Sequence, residues 1–240
     1  MGTNIEIYTE KKSNGTWMAC DPIVPNEYYG WEGEPQFCRA PIYDRRNYEV
    51  FALLAGVRNR YYIKSVAPLK GLPQDLSEEV RREATEWVRE GRLCSYLTLA
   101  ELQAFDWHGQ TFVRDVSLKP EEFVKFMRTG RAEQWHVYKD YDGRISNEEM
   151  CELIKSGRAT EAQVVTYVCW TETYAEPAKH FLETVMPKLE AMAQGNQESV
   201  RIVFSFDCCC NICASLAGVE IMELDEELID DTFWYCRRME

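Results

Sequence analysis

Two β-branched and aromatic runs have the composition typical of strands, Val164-Val-Thr-Tyr-Val-Cys-Trp170 and Val200-Arg-Ile-Val-Phe-Ser-Phe206. Between them, residues 177–193 have helical periodicity that only Pro187 interrupts. We expect a kink there, since proline removes a backbone donor. A strand, a helix and a strand with short links predict a crossover unit whose two strands are parallel.

An antiparallel hairpin is predicted at the amino-terminal end. Apolar and polar residues alternate in Ile5 to Glu10 and in Thr16 to Cys20, on either side of the turn signal Asn14-Gly15. From Asp21 to Pro41, four prolines and two glycines predict a long ordered loop rather than regular structure. We expect this loop to pack its aromatic side chains, Tyr28, Tyr29 and Trp31.

Helical spacing predicts helices between the strands, and capping signals mark helix starts at Ser77 and at the pair Thr98 and Glu101. The predicted helices are 47–57, 77–89, 98–107, 119–130 and 148–155, and further strands are predicted at 112–116 and 135–138. With the hairpin at one end and the crossover unit at the other, we predict an α+β fold: a mixed β-sheet covered by helices. Since no linker divides the chain, one domain is expected over residues 1–240.

Composition and charge exclude several functional classes. The chain has 240 residues and a net charge of −13, so a duplex nucleic-acid backbone is repelled on average. No apolar run reaches the roughly 18 residues that span a bilayer, and Met1 to Glu10 does not resemble a secretory signal. We therefore expect a cytoplasmic protein without a membrane partner, whose ten cysteines are thiols by default. Formation of a homo-oligomer is left open.

Two segments resemble metal-binding motifs in part. Residues 138–149 match a calcium loop at Asp140, Asp142 and Glu149, but Tyr138 occupies the first ligand position. This favours an Asp-Gly turn that leads into a capped helix. A second segment, residues 207–213, contains Cys210 and Cys213 at the two-residue spacing of zinc ligands, but no second pair with this spacing exists in the sequence. Structural thiols are therefore favoured over a metal or redox site. The candidate ligands are Cys208, Cys210, Cys213 and Cys236.

The best candidate anion site is a basic and aromatic segment. Residues 39–64 hold six arginine or lysine residues against two acidic ones, in a chain that is acidic as a whole. Arginine binds phosphate bidentately and aromatic rings stack on bases, although pairing with the surplus carboxylates is an equally good interpretation. The candidate ligand-binding residues are Arg45, Arg46, Asn47, Tyr48, Arg58, Asn59 and Arg60.

A further candidate site follows from the predicted crossover, because ligands bind at the carboxyl ends of parallel strands. Trp170, Glu172 and Tyr174 follow one strand, and Asp207 follows the next. The two carboxylates would serve as an acid-base pair or bind a ribose hydroxyl, whereas helix capping is the alternative.

Six segments together resemble an uncharacterised family of accessory proteins from tailed bacteriophages and prophages. They are residues 5–10 with 14–17, Arg46-Asn-Tyr-Glu-Val-Phe-Ala-Leu-Leu-Ala-Gly-Val-Arg-Asn59, Gly71-Leu-Pro-Gln-Asp-Leu-Ser77, residues 95–102 with 105–107, residues 170–176, and Val200-Arg-Ile-Val-Phe-Ser-Phe-Asp207. The resemblance implies an anti-defence protein of the host cytoplasm, and such proteins often act on nucleotide immune signals.

Three functions follow as hypotheses. The first is sequestration of a small phosphorylated nucleotide by the Arg/Tyr-rich segment, which needs no catalytic residue and no cofactor. The second is hydrolysis of such a nucleotide with Glu172 and Asp207 as the candidate carboxylates. The third is inhibition of a host defence protein by an acidic surface that mimics nucleic acid, which an exposed apolar patch with an acidic rim near the carboxyl terminus would favour.

Overall fold

The computed structural model describes residues 2–132, 143–159 and 163–207. It contains helices and sheets, which confirms the predicted α+β class. The chain divides into two compact units. The first holds the described residues of 1–107 and 174–240, and the second holds those of 108–173. A single domain over the whole chain stays a prediction.

The regular elements follow one another in mixed order. The strands are β1 (Ile5–Ser13), β2 (Thr16–Ala19), β3 (Ile23–Pro25), β4 (Phe37–Arg39), β5 (Leu93–Thr98), β6 (Thr111–Leu118), β7 (Arg144–Ile145), β8 (Val165–Thr173) and β9 (Val200–Phe206). The helices are α1 (Tyr48–Ala55), α2 (Glu78–Arg89), α3 (Leu99–Ala104), α4 (Pro120–Thr129), α5 (Asn147–Lys155) and α6 (Met186–Ala193).

The first unit is built on a four-stranded antiparallel sheet in the order β2-β1-β9-β5. The predicted hairpin is confirmed, with Ser13 opposite Thr16 and Asn14-Gly15 in the turn. Asn14 and Gly15 both have positive φ, the conformation that asparagine and glycine adopt most readily.

The predicted crossover unit is wrong. Strands β8 and β9 lie in different sheets, and β9 pairs antiparallel with both β1 and β5. All seven residues of β9 are buried. Helices cover both faces of this central strand, so it has the nearly continuous apolar sequence that also characterises parallel strands. The apolar sequence of β9 therefore resembles that of a strand in a crossover unit, although its pairing is antiparallel.

The two faces of this sheet carry different cores. On one face, Trp87 of α2 lies against Tyr8 at 5.7 Å between ring centroids, beside the buried Val203. On the other face, Phe51 of α1 contacts Phe206 at 5.1 Å. Side chains of β9 alternate between these cores, as the period of an extended strand requires.

Side-chain caps begin three helices, and the two at Ser77 and Thr98 confirm capping signals of the sequence. The side chains of Asn47, Ser77 and Thr98 accept hydrogen bonds from Val50, Val80 and Glu101 backbone amides, at the starts of α1, α2 and α3. The helix predicted around Pro187 is interrupted, with a π-helical turn at Phe181–Val185 directly before α6. Proline cannot donate to the preceding turn, so the hydrogen-bond ladder changes there.

The second unit holds a three-stranded mixed sheet in the order β6-β8-β7. Strands β6 and β8 are antiparallel, whereas the short β7 is parallel to β8. Helices α4 and α5 cover one face through Phe123 and Met150, which pack with Val116, Val168 and Trp170. The strand predicted at 135–138 lies outside the described residues.

Candidate functional site

A small β-hairpin in the first unit replaces most of the loop predicted at residues 21–41. Strands β3 and β4 pair antiparallel, with Ile23 opposite Arg39 and Pro25 opposite Phe37. The connecting residues 26–36 form turns in which Gly30 and Gly33 have positive φ. We name residues 22–39 the aromatic arm.

A buried asparagine holds the tip of the aromatic arm. Asn26 donates from Nδ2 to Glu34 Oε2 at 2.9 Å and to the Pro35 carbonyl at 3.0 Å. Its Oδ1 accepts from the Tyr28 amide at 3.0 Å. These bonds tie both sides of the tip to one side chain that is only 8% exposed. The loop is therefore fixed by its own polar groups and does not depend on an apolar core.

The aromatic side chains of the arm face outward, so the prediction that Tyr28, Tyr29 and Trp31 pack inside is wrong. Trp31 is 70% exposed, and its ring packs against the Tyr28 ring with 5.3 Å between the two centroids. Of the eleven large apolar side chains exposed among the described residues, six lie between residues 18 and 37. They are Met18, Ile23, Tyr28, Tyr29, Trp31 and Phe37. The buried polar side chain of Asn26 occupies the inside of the tip, where the rings would otherwise pack.

Arg39 fixes the base of the arm to the sheet. Its guanidinium lies 3.6 Å from the Tyr8 ring centroid, and Nη1 donates to the Ile7 carbonyl at 2.5 Å and to Asp21 Oδ2 at 3.1 Å. Burial raises the pKa of the Asp21 carboxyl above its ordinary value, while the Thr9 amide and Arg39 oppose that rise. Burial also raises the pKa of Tyr8 to about 12. The arm therefore starts from a rigid, desolvated anchor.

The structure brings three of the predicted anion-binding residues together around residues 3 and 4. Arg46 donates to Asn4 Oδ1 through Nε at 2.9 Å, and Arg58 Nε donates to Thr3 Oγ1 at 2.7 Å. Tyr48 accepts from the Thr3 amide at 3.1 Å and lies 5.7 Å from the Arg58 guanidinium. The chain's own amino-terminal segment thus occupies these donors.

The other residues of that segment have mainly local contacts. Asn47 caps α1 and donates to the Pro177 carbonyl at 2.9 Å. Asn59 bonds both the amide and the carbonyl of Ile63, each at 2.7 Å, and so closes the loop after α1. Arg60 lies 5.3 Å from the Tyr61 ring, and Arg45 is exposed.

The strand-end candidates divide between the two units. Glu172 pairs with the buried Arg114 at 2.8 Å and accepts from the Trp170 indole at 2.7 Å, all within the second unit. In the first unit, Tyr174 accepts from the Lys64 amide at 2.8 Å, and Asp207 Oδ2 accepts from Asn4 Nδ2 at 2.8 Å. The acid-base pairing of Glu172 with Asp207 assumed parallel neighbouring strands, and that premise is wrong.

The metal candidates fall largely outside the described residues. Cys208, Cys210, Cys213 and Cys236 lie there, as do Asp140 and Asp142 of the calcium loop. Glu149 is described, and it accepts from the Ser146 amide in a capping box at the start of α5. In residues 2–132, 143–159 and 163–207, no group of three or more metal-ligating side chains is found.

Comparison with protein-family models, curated proteins and solved structures finds no match to this chain. Among the described residues, every helix is too short or too polar to cross a bilayer.

Sequence reasoning placed no function in the aromatic arm. A usable signal was present, since three aromatic residues in four positions lie next to Gly30 and Gly33 in a segment without lysine or arginine from residue 22 to 38. Turn residues of this kind place side chains at the surface, where loops commonly carry binding residues.

Proposed function

We propose that this protein acts by binding another protein through the aromatic arm. The third function suggested by the sequence is also protein binding, but it places the surface near the carboxyl terminus, outside the described residues. The observation that carries the proposal is an inverted distribution of polarity: Asn26 is buried in the arm while Trp31, Tyr29 and Tyr28 are exposed. Tyrosine and tryptophan are the residue types that contribute most to binding energy at protein interfaces.

The construction of the arm supports the same conclusion. Asn26 holds the tip and Arg39 holds the base before any partner is present. Ordering a loop on binding consumes part of the interaction energy, so a loop that is already ordered binds more tightly for the same contacts. Exposed apolar area of this kind is otherwise unfavourable in a water-facing hairpin.

Within this proposal, the biological setting follows the resemblance to phage accessory proteins. The protein would act in the host cytoplasm, as an inhibitor that occupies a surface of a defence protein. Such a role requires affinity and no reacting group, and the aromatic arm supplies an affinity surface of this kind.

Site-specific photocrosslinking tests the proposal. A photoreactive phenylalanine analogue replaces Tyr29 in the full-length protein expressed in bacterial cells, and the protein to which it crosslinks is identified. That partner is then purified separately, without crosslinking, and mixed with the unlabelled chain. We expect a complex by sedimentation velocity that Trp31→Ala abolishes. Met127→Ala, which removes another highly exposed apolar side chain, from α4, should leave the complex intact. A complex that survives Trp31→Ala would refute the proposal.

Nucleotide sequestration is a second candidate, favoured by the convergence of Arg46, Tyr48 and Arg58. In this alternative, a phosphate replaces Thr3 and Asn4 as the partner of the two guanidiniums. Thermal melting against linear and cyclic nucleotides would show a stabilisation that Arg58→Ala removes. An equal shift in that variant, or no shift in the wild type, would exclude this site.

A further inference from the structure

The aromatic arm carries negative charge that its own contacts leave uncompensated. Between residues 22 and 38 there are three glutamates and no lysine or arginine, and Arg39 at the base of the arm pairs with Asp21 and Glu6 outside it. Glu34 is engaged by Asn26, whereas Glu27 and Glu32 are exposed and have no hydrogen bond or ion pair within the described part of the chain. These two carboxylates directly flank the segment from Tyr28 to Trp31.

The placement of the two carboxylates matters for what the arm can bind. Charged groups at the rim of an interface select partners of opposite charge and accelerate their encounter, and like charges disfavour the wrong partners. The chain as a whole carries −13, so its field reinforces that of the arm. Nucleic-acid backbones and anionic lipid surfaces are repelled by this field, although tryptophan and tyrosine suit both.

We infer that the partner is a basic protein surface, in which an apolar groove receives Trp31 and lysine or arginine side chains around it face Glu27 and Glu32. This inference rests on the proposed function and adds the chemical class of the partner. The groove accounts for the exposed rings, and the basic rim accounts for two carboxylates that no cation of the described chain neutralises.

A yeast-displayed library of random short peptides provides a probe that does not depend on the natural partner. Peptides that bind the full-length protein are selected, and those that also bind Trp31→Ala are discarded. We expect the remaining peptides to be enriched in lysine and arginine next to aliphatic or aromatic residues. Their affinity should fall on the order of fivefold in Glu27→Gln/Glu32→Gln at low salt.

A matched control separates local charge from net charge. Glu121→Gln/Glu198→Gln removes two exposed carboxylates elsewhere in the chain and should change affinity less than twofold or so. Equal losses in the two double variants would contradict a rim at Glu27 and Glu32. Increasing salt should weaken binding to the wild type more than binding to Glu27→Gln/Glu32→Gln.

The outcomes distinguish this inference from the proposed function. Peptides whose binding needs Trp31 but that lack basic residues, or whose affinity is unchanged in Glu27→Gln/Glu32→Gln, would contradict a basic partner and remain consistent with protein binding. A library that yields only peptides indifferent to Trp31→Ala would overturn both. Arm-dependent binding to vesicles of phosphatidylcholine with phosphatidylserine, or an arm-dependent dimer by sedimentation, would replace the basic protein by a lipid surface or a second copy.

Discussion

Arg201 in the central strand β9 is the charged group whose removal should destabilise the first unit most. Only 3% of this residue is exposed. Its Nε donates to Glu10 Oε2 at 2.7 Å and its Nη1 donates to Asp75 Oδ1 at 2.7 Å. The guanidinium also lies 3.9 Å from the centroid of the Trp17 ring. We predict that Arg201→Met lowers the free energy of unfolding at neutral pH.

The size of this loss follows from the burial of Glu10. That carboxylate is fully buried, and its remaining oxygen accepts from the Ser77 amide at 2.7 Å. Breaking a buried ion pair by removing one partner costs about 3–5 kcal/mol, because the other charge stays desolvated. The side chain of Asp75 is 60% exposed and remains solvated, so it adds little. We therefore expect a loss of about 4 kcal/mol, a large part of a typical domain stability of about 5–15 kcal/mol.

Two further variants isolate the cause. Neutralising the orphaned carboxylate in Glu10→Gln/Arg201→Met should recover about 1 kcal/mol or more relative to Arg201→Met, because the residues are coupled. Arg92→Met is the matched control on the same face of the sheet. Arg92 pairs with Glu6 and Glu90, but these groups are partly exposed, so its loss should be about 1 kcal/mol or less.

Urea unfolding followed by tryptophan fluorescence and far-ultraviolet circular dichroism measures these differences. The first unit contains Trp17 and Trp87, so its transition is visible by fluorescence. A free energy of unfolding for Arg201→Met within about 1 kcal/mol of the wild type would contradict the cost assigned to the desolvated Glu10 carboxylate. The same holds if Glu10→Gln/Arg201→Met is no more stable than Arg201→Met.

Three other predictions concern single groups. The hydrogen bonds from Arg201 and Trp17 lower the pKa of Asp75 below its ordinary 3.8, so its contribution to stability is present above that value and is lost as pH falls below it. In urea titrations, the free energy of unfolding should therefore fall more steeply with decreasing pH for the wild type than for Asp75→Asn. Thr98→Ala removes the capping box of α3 and should cost about 1 kcal/mol by the same titration, whereas no change would contradict a stabilising cap. Burial raises the pKa of Cys94 to about 11, so this thiol should react slowly with iodoacetamide at pH 8. Peptide mapping after brief treatment should find Cys94 unmodified and the exposed Cys169 alkylated, and equal labelling of the two would contradict this.

Signals that act within a few residues were predictable from the sequence. The caps at Ser77 and Thr98 and the turn at Asn14-Gly15 are confirmed, because each depends on one side chain and its immediate backbone. Strand β5 was missed since Leu93 and Leu97 are four residues apart, a spacing that also fits a helix.

Long-range pairing and surface exposure were not predictable in the same way. The burial of β9 on both faces depends on helices that are distant in sequence, so its apolar run did not specify antiparallel pairing. The outward position of Trp31 depends on Asn26 filling the tip of the arm, whereas composition alone assigns aromatic residues to the interior. The convergence of Arg46 and Arg58 on residues 3 and 4 likewise joins parts of the chain far apart in sequence.

The affinity contributed by Trp31 is the most direct test of protein binding by the aromatic arm. Isothermal titration calorimetry with the partner that crosslinking identified, purified in its free form, compares the wild type, Trp31→Ala and Met127→Ala at one salt concentration. A ring that is 70% exposed in the free protein and buried in the complex should act as a hot spot worth about 2 kcal/mol or more, a roughly 30-fold loss of affinity. Met127→Ala should bind as the wild type does. Equal affinity of the wild type and Trp31→Ala would contradict protein binding through the aromatic arm.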